Sequence, residues 1–181
     1  MEHSPLHAAK IAPRREPLVS SWLQERQSLI LALNTLCSHR PYQKENQFEI
    51  TQALLFFSQQ LMDYVSFIHF EILEKVEGAV LDSSLSERQL PKSLLRALTQ
   101  SSLQALDFND QHTKLVFNNI EAFDRALSEV AEALAERFDL EDVLIRLYQK
   151  ALRLRPSPGL STGHPLPQRG EGIVRYAHTK I

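Results

Sequence analysis

Cysteine is almost missing from this chain: Cys37 is the only one in 181 residues. A lone thiol excludes an internal disulfide framework and a Cys-x-x-Cys zinc site. Cys37 lies in an apolar helical pattern and reads as a reduced core residue. Glycine is scarce as well. Four of the five glycines fall after residue 155, so the body of the chain has no Gly-rich loop to cradle a phosphate. A basic excess is lacking too: the formal net charge is -2, whereas nucleic-acid binders show a clear positive balance. No apolar run approaches the ~20 residues of a membrane span. The segment holding Pro5 and Pro13 has no apolar stretch of signal-peptide type, so a cytoplasmic location is expected. Nucleophile motifs are absent around the many serines, and no Glu-x-x-His string occurs. The expectation is therefore a non-catalytic protein with no catalytic residue, no cofactor and no metal site.

What the chain does contain is helix. The stretch from Leu54 to Val76 has neither Gly nor Pro and reads as one helix. At about 100° per residue, Leu54, Leu61, Val65, Ile68, Ile72 and Val76 fall on one apolar stripe. Gln59, Asp63, Ser66, Phe70, Glu74 and Glu77 lie opposite, with Phe56 and Phe67 at the edge. A polar face with Phe70 at its centre has two readings. Either another helix covers that side, or the aromatic and its acidic, small polar neighbours form a docking surface for another protein.

In chain order, residues 1–16 read as a flexible leader. Pro17 suits the first turn of a helix running to about Ser38, with Trp22 as a core anchor. Pro41 closes that segment. Asn46 with Glu49 fits a capping-box variant opening a long helix to about Glu77, with Gly78 as its stop. After a connector, Ser86-Glu87-Arg88-Gln89 reads as a cap for a third helix, bent or broken at Asp107-Phe108-Asn109-Asp110. Asn118-Asn119-Ile120-Glu121 caps a last helix reaching about Leu154. Its seam reads as Ile120, Phe123, Leu127, Val130, Leu134, Phe138, Ile145, Tyr148 and Leu152, with a local shift near Phe138. Residues 156–181 hold four of the nine prolines and read as a disordered tail. The expected fold is all-α: an antiparallel four-helix bundle over residues 17–155, followed by that tail.

Two surface features need weighing. His69-Phe70-Glu71-Ile72-Leu73-Glu74 faintly resembles haemerythrin-type ligand strings, and a haemerythrin- or ferritin-like metal-binding bundle is one alternative reading, a helical adaptor with an unrelated partner the other. Against the metal-binding reading, the wheel puts His69 at the core edge and Glu74 on the outer face, so the two cannot share one buried metal. The last helix is strongly acidic from Glu121 through Glu129, Glu136, Glu141 and Asp142. Such a run is either a solvated face or a complement to a basic partner.

Several motifs resemble the Rsd/AlgQ family of anti-sigma factors. Asp63-Tyr64-Val65-Ser66 followed by His69-Phe70 is similar to that family's Asp-Tyr-x-Ser-x-Gly-His-Phe signature. Leu18 to Leu23 with Glu25-Arg26-Gln27 resembles its opening helix. Leu106 to Asp110 looks like AlgQ-type members, and Glu132 to Asp142 is similar to the Glu-x-Arg-Phe-x-Leu-Glu-Asp segment. The likeness covers roughly Leu18 to Leu152 and stops before the tail. It implies binding to region 4, the C-terminal domain of the primary sigma factor of RNA polymerase. Housekeeping transcription would fall in favour of alternative sigma factors, typically in stationary phase. It implies a monomer without direct contact to nucleic acid or membrane. Some members also bind the phosphocarrier protein of the sugar phosphotransferase system. Asp63, Ser66 and Phe70 match the family's sigma-contacting positions, which favours the docking reading of that face. Phe67, and further off Glu141 and Asp142, are additional candidates. Phe70 would be the apolar anchor, Asp63 the partner of a basic side chain, and Ser66 a point of close approach. Two positions depart from the pattern: the family's Gly before His-Phe is Ile68 here, and its Tyr before the following Glu is Leu73.

Overall fold

A computed structural model of the chain describes residues 16–85, 89–112 and 119–155. The leader to residue 15, the Ser86 to Arg88 part of the expected third cap, Asn118 and the segment from Pro156 onward lie outside the described residues. The described part is all-helical. Helix α1 spans Pro17–Cys37. A 3-10 turn at Lys44–Asn46 leads into α2, Gln47–Phe67. A π-helical segment, Ile68–Ile72, joins α2 without a break to α3, Leu73–Leu81. Then come α4, Lys92–His112, and α5, Ile120–Arg153. With α2, the π segment and α3 as one rod, these are four helical rods among the described residues.

Contacts define how the rods align. Along α1 and just after it, Arg26 bonds Asp142 while Arg40 bonds Asp124, so partners on α5 fall in number as those on α1 rise. Along α4, Leu98 and Ser101 meet Arg137, while Gln104 to Gln111 lie beside Ala126 to Ala133. The stripe predicted on the second rod is the core: Leu54, Leu61, Val65, Ile68, Ile72 and Val76 are all buried. Trp22, Leu29 and Leu36 come in from α1, and Phe123, Leu127 and Leu134 from α5. Each such side chain contributes about 1.5–3 kcal/mol on burial. Edge-on pairs of Phe57 with Phe108 and of Tyr42 with Phe123 add aromatic contacts at 5.9 and 5.1 Å between centroids.

Four local expectations are corrected. Gly78 does not stop the second rod, which continues to Leu81. A Cβ at Gly78 would meet nothing, so helix continues through it at no steric cost. The rod ends instead where two serines take over the bonding: buried Ser83 donates its Oγ proton to the Val80 carbonyl, and Ser84 donates to that of Leu154. Asn46 does not cap α2 with its side chain; its Oδ1 accepts from the Gln43 N–H at 3.2 Å and holds the preceding 3-10 turn. Asp107 to Asp110 does not break α4, which stays helical to His112: buried Phe108 packs on Phe57 while Asp107 accepts from Gln111 one turn on. The fourth concerns the seam of α5. It keeps its spacing past Leu134 through Arg137, Glu141 and Leu144, all buried, rather than shifting to Phe138 and Ile145, which are only partly buried. Asn119 caps α5 as expected, its Oδ1 accepting from Ala122 N–H at 2.9 Å.

Candidate functional site

The centre of the bundle is polar. Glu141, fully buried, receives four donors. Arg137 Nε reaches its Oε1 at 2.7 Å. Trp22 Nε1 at 3.2 Å, Arg26 Nη2 at 3.1 Å and the Tyr64 hydroxyl converge on Oε2. Arg137, itself 2% exposed, carries the network onward. Its Nη1 donates to the Leu98 carbonyl, Ser101 Oγ and Ser102 Oγ at 3.2, 2.7 and 3.0 Å. Through one carboxylate, α1, α2, α4 and α5 are thus tied together. A buried charge without such partners would cost several kcal/mol. Here both oxygens of the carboxylate have donors, and the charges balance locally because Arg26 also pairs with Asp142 at 2.7 Å.

Burial pushes the Tyr64 hydroxyl well above its ordinary pKa, and the adjacent Glu141 charge adds to this. Burial alone would pull Arg26 down. Its bonds to Asp142 and Tyr64, with the charge of Glu141, more than reverse that and fix it as a cation. The guanidinium of Arg26 also lies over the Phe138 ring, 4.9 Å from the centroid.

Glu141 is therefore not part of a docking surface. Its place on the acidic helix suggested exposure, but the heptad spacing turns it inward onto four donors. Asp142 is half-exposed and engaged by Arg26 across the α1–α5 contact. Elsewhere on α5, Asp124 is paired with Arg40 at 2.7 Å, whereas Glu129, Glu132, Glu136 and Asp139 form no ion pair among the described residues.

Directly above the network lies the exposed face. Asp63, Ser66 and Phe70 all point outward, and Phe70 is 69% exposed. The Asp63 carboxylate accepts both bonds of Gln59 Nε2, at 2.8 and 2.9 Å, one turn earlier on α2. Phe67 differs: it is partly buried and packs against the core. The π segment shapes this end of the face. The Leu73 N–H reaches the Ile68 carbonyl five residues back. The widened turn leaves His69, Phe70 and Glu71 all outside, between buried Ile68 and Ile72. Such single π turns recur at functional sites. His69 is exposed rather than set at the core edge, and its ring stands edge-on to Phe70 at 4.9 Å. Ile68, in place of the family's Gly, is fully buried and adds a side chain to the core without touching the face.

One groove was not foreseen. Met62, Val65, Ser66, His69 and Phe70 form one wall, and Thr99, Ser102, Leu103 and Leu106 of α4 the other, enclosing about 230 Å³. Leu103 and Leu106 are both exposed. Their outward position is visible in α4 as a second apolar edge beside the buried Leu94, Leu98 and Ala105. Ser102 lines this groove and also accepts from Arg137, so the buried network fixes one wall of it. Among the described residues, no three His, Cys, Asp or Glu side chains converge as metal ligands would. No helix among them is long and apolar enough to cross a membrane.

Fold and site together define a class: an all-helical protein clamped by a buried ionic network, with an aromatic-centred face left open on one side. The chain belongs to the Rsd/AlgQ family, whose model, described as regulator of the RNA polymerase sigma(70) subunit, matches residues 6–149. It is similar to the regulator of sigma D of Pectobacterium carotovorum subsp. carotovorum (strain PC1), 36% identical over 132 residues, which are 72% of this chain and 86% of that protein. The regulator of sigma D of Sodalis glossinidius (strain morsitans) is 33% identical over 141 residues, 76% of this chain and 92% of its own. That of Yersinia enterocolitica is 30% identical over 131 residues, 71% and 78% of the two chains.

Proposed function

We propose that this chain is an anti-sigma factor that binds region 4 of the primary sigma factor through the face of Asp63, Ser66 and Phe70. The observation that carries the reading is Phe70. A large aromatic held 69% exposed on a rigid helical rod, beside an apolar groove, loses little side-chain freedom on docking and gains most of its apolar burial. Asp63, oriented by Gln59, meets a basic side chain of the partner, and Ser66 lets the two backbones approach. Region 4 carries the basic helix-turn-helix that reads the promoter −35 element. An acidic rim on this chain complements it and raises the rate of encounter. Masking that module lowers housekeeping transcription and leaves core polymerase to alternative sigma factors, in stationary phase, with the regulator acting as a cytoplasmic monomer. Titration calorimetry of the purified chain against isolated region 4, with Phe70→Ala and Asp63→Lys in parallel, tests this. Failure of the parent to bind at high micromolar concentration sinks the proposal.

A further inference from the structure

The family match ends at residue 149, and the described chain ends at Arg155. That end is anchored. Arg155 Nη2 donates to Asp82 Oδ2 at 2.7 Å, and the Ser84 N–H donates to the Leu154 carbonyl at 3.1 Å. The segment 156–181 therefore starts at the turn that follows α3. Beside that turn, α3 and the start of α4 enclose a groove of about 520 Å³. Leu81, Leu90 and Leu95 supply its apolar lining, and Glu74 and Glu77, against the single cation Lys92, give its edge a net negative charge. Leu81 is 60% exposed. Neither glutamate forms an ion pair among the described residues.

We infer that residues 156–181 dock in this groove of their own chain. Charge complementarity is the first argument. The segment carries Arg169, Arg175 and Lys180 against a single acid, Glu171. Its apolar residues Ile173, Val174 and Tyr176 flank Arg175, the pattern an acid-edged apolar groove accepts. Length is the second. Glu74 to Leu81 spans only about 10 Å of helix, while the stretch from Arg155 to Ile173 reaches up to ~60 Å when extended. Tethering is the third: covalent linkage to Arg155 holds the segment at an effective concentration on the order of millimolar. A second copy is the poorer occupant, since the rest of the chain carries the acidic excess and would repel Glu74 and Glu77. Glu74 lies one turn beyond Phe70, so the docked segment borders the exposed face. The inference holds whether or not that face binds a sigma factor.

The test is amide NMR on the full chain, parent against Arg169→Glu, Arg175→Glu and Lys180→Glu combined. These changes follow α5 in sequence by at least fifteen residues. The expected result is movement of the Gly78, Leu81 and Leu95 signals, unaffected by dilution. Unmoved signals there overturn the proposal, as do shifts spread evenly over Glu129, Glu132 and Asp139. Shifts that fade on dilution overturn it too, because the segment would then sit on a second molecule. In the reciprocal variant, Glu74→Lys with Glu77→Lys, the signals of Ile173 to Tyr176 move to their positions in the isolated 156–181 peptide. If they stay where the parent has them, the groove is not the site.

Discussion

Asp63 and Tyr64 share a peptide bond and face opposite solvents. The Tyr64 hydroxyl is buried on Glu141, while the Asp63 carboxylate is exposed and, among the described residues, accepts from Gln59 alone. The same division runs through the molecule. Trp22, Arg26, Tyr64 and Arg137 are buried or part-buried donors that converge on the Glu141 carboxylate. Ser66, Phe70, Leu103 and Leu106 form an exposed face whose apolar surface no other described residue covers. The two regions lie on adjacent positions of the same helices because a helix turns successive residues by about 100°. Changes in the first should be read out as stability, and changes in the second as binding.

The largest expected effect tests the buried side. Glu141→Leu leaves Arg137 and part of Arg26 charged and buried without a counter-ion. It should lower the unfolding free energy by ~3–5 kcal/mol in urea titrations. Adding Arg137→Met removes the orphaned cation and should return much of that loss. A double variant as unstable as the single one would mean that the network holds the helices by more than charge compensation.

Next in size is the exposed side. Phe70→Ala should weaken binding to region 4 by ~2 kcal/mol or more. Its unfolding free energy should stay within ~0.5 kcal/mol of the parent. A variant equally impaired in stability would erase the distinction between the two regions.

A pH series separates them further. The folded-state pKa of Tyr64 lies above its ordinary value of 10.0, through burial and then the neighbouring Glu141 charge. Tyr42, pushed up to about 12 by burial, acts in the same direction. A group whose folded pKa is raised stabilises fully below its unfolded pKa and loses that contribution as pH climbs through the folded one. Stability should therefore fall progressively above pH 10.0, and Tyr64→Phe should make that fall shallower. An unchanged alkaline slope in Tyr64→Phe would remove Tyr64 from the network's titration.

How much of this was legible before the structure follows from the physics of each part. Apolar periodicity located the rods and the stripe from Leu54 to Val76, because burial imposes the spacing. The outward position of Asp63, Ser66 and Phe70 came from the same wheel. The seam of α5 was misplaced at Phe138 because a search for apolar residues cannot recognise a buried ion pair. Arg137 and Glu141 continue the three-four spacing from Leu134, and their i,i+4 relation was the available signal. Trp22, Tyr64 and Glu141 also lie in three of the segments that carry the family likeness, yet nothing local says that they meet. The π segment had no signature at all, since a widened turn depends on how Ile68 and Ile72 both reach the core.

The smallest expected effect probes the boundary itself. Gln59 touches only the exposed region, yet it orders Asp63 through bonds of 2.8 and 2.9 Å. Removing it by Gln59→Ala should cost no more than about 0.2–0.5 kcal/mol of stability, the value of an i,i+4 pair on a helix surface. Freed from Gln59, the Asp63 carboxylate samples more rotamers, so region 4 should dissociate slightly faster, with association and its salt dependence unchanged because the charge remains. Surface plasmon resonance at two salt concentrations resolves these terms. A stability loss well beyond ~1 kcal/mol would show Asp63 to be coupled to the fold much as Tyr64 is, against the small cost expected of an exposed pair. The division between a clamped interior and a free face would then end at Tyr64 rather than fall between neighbours.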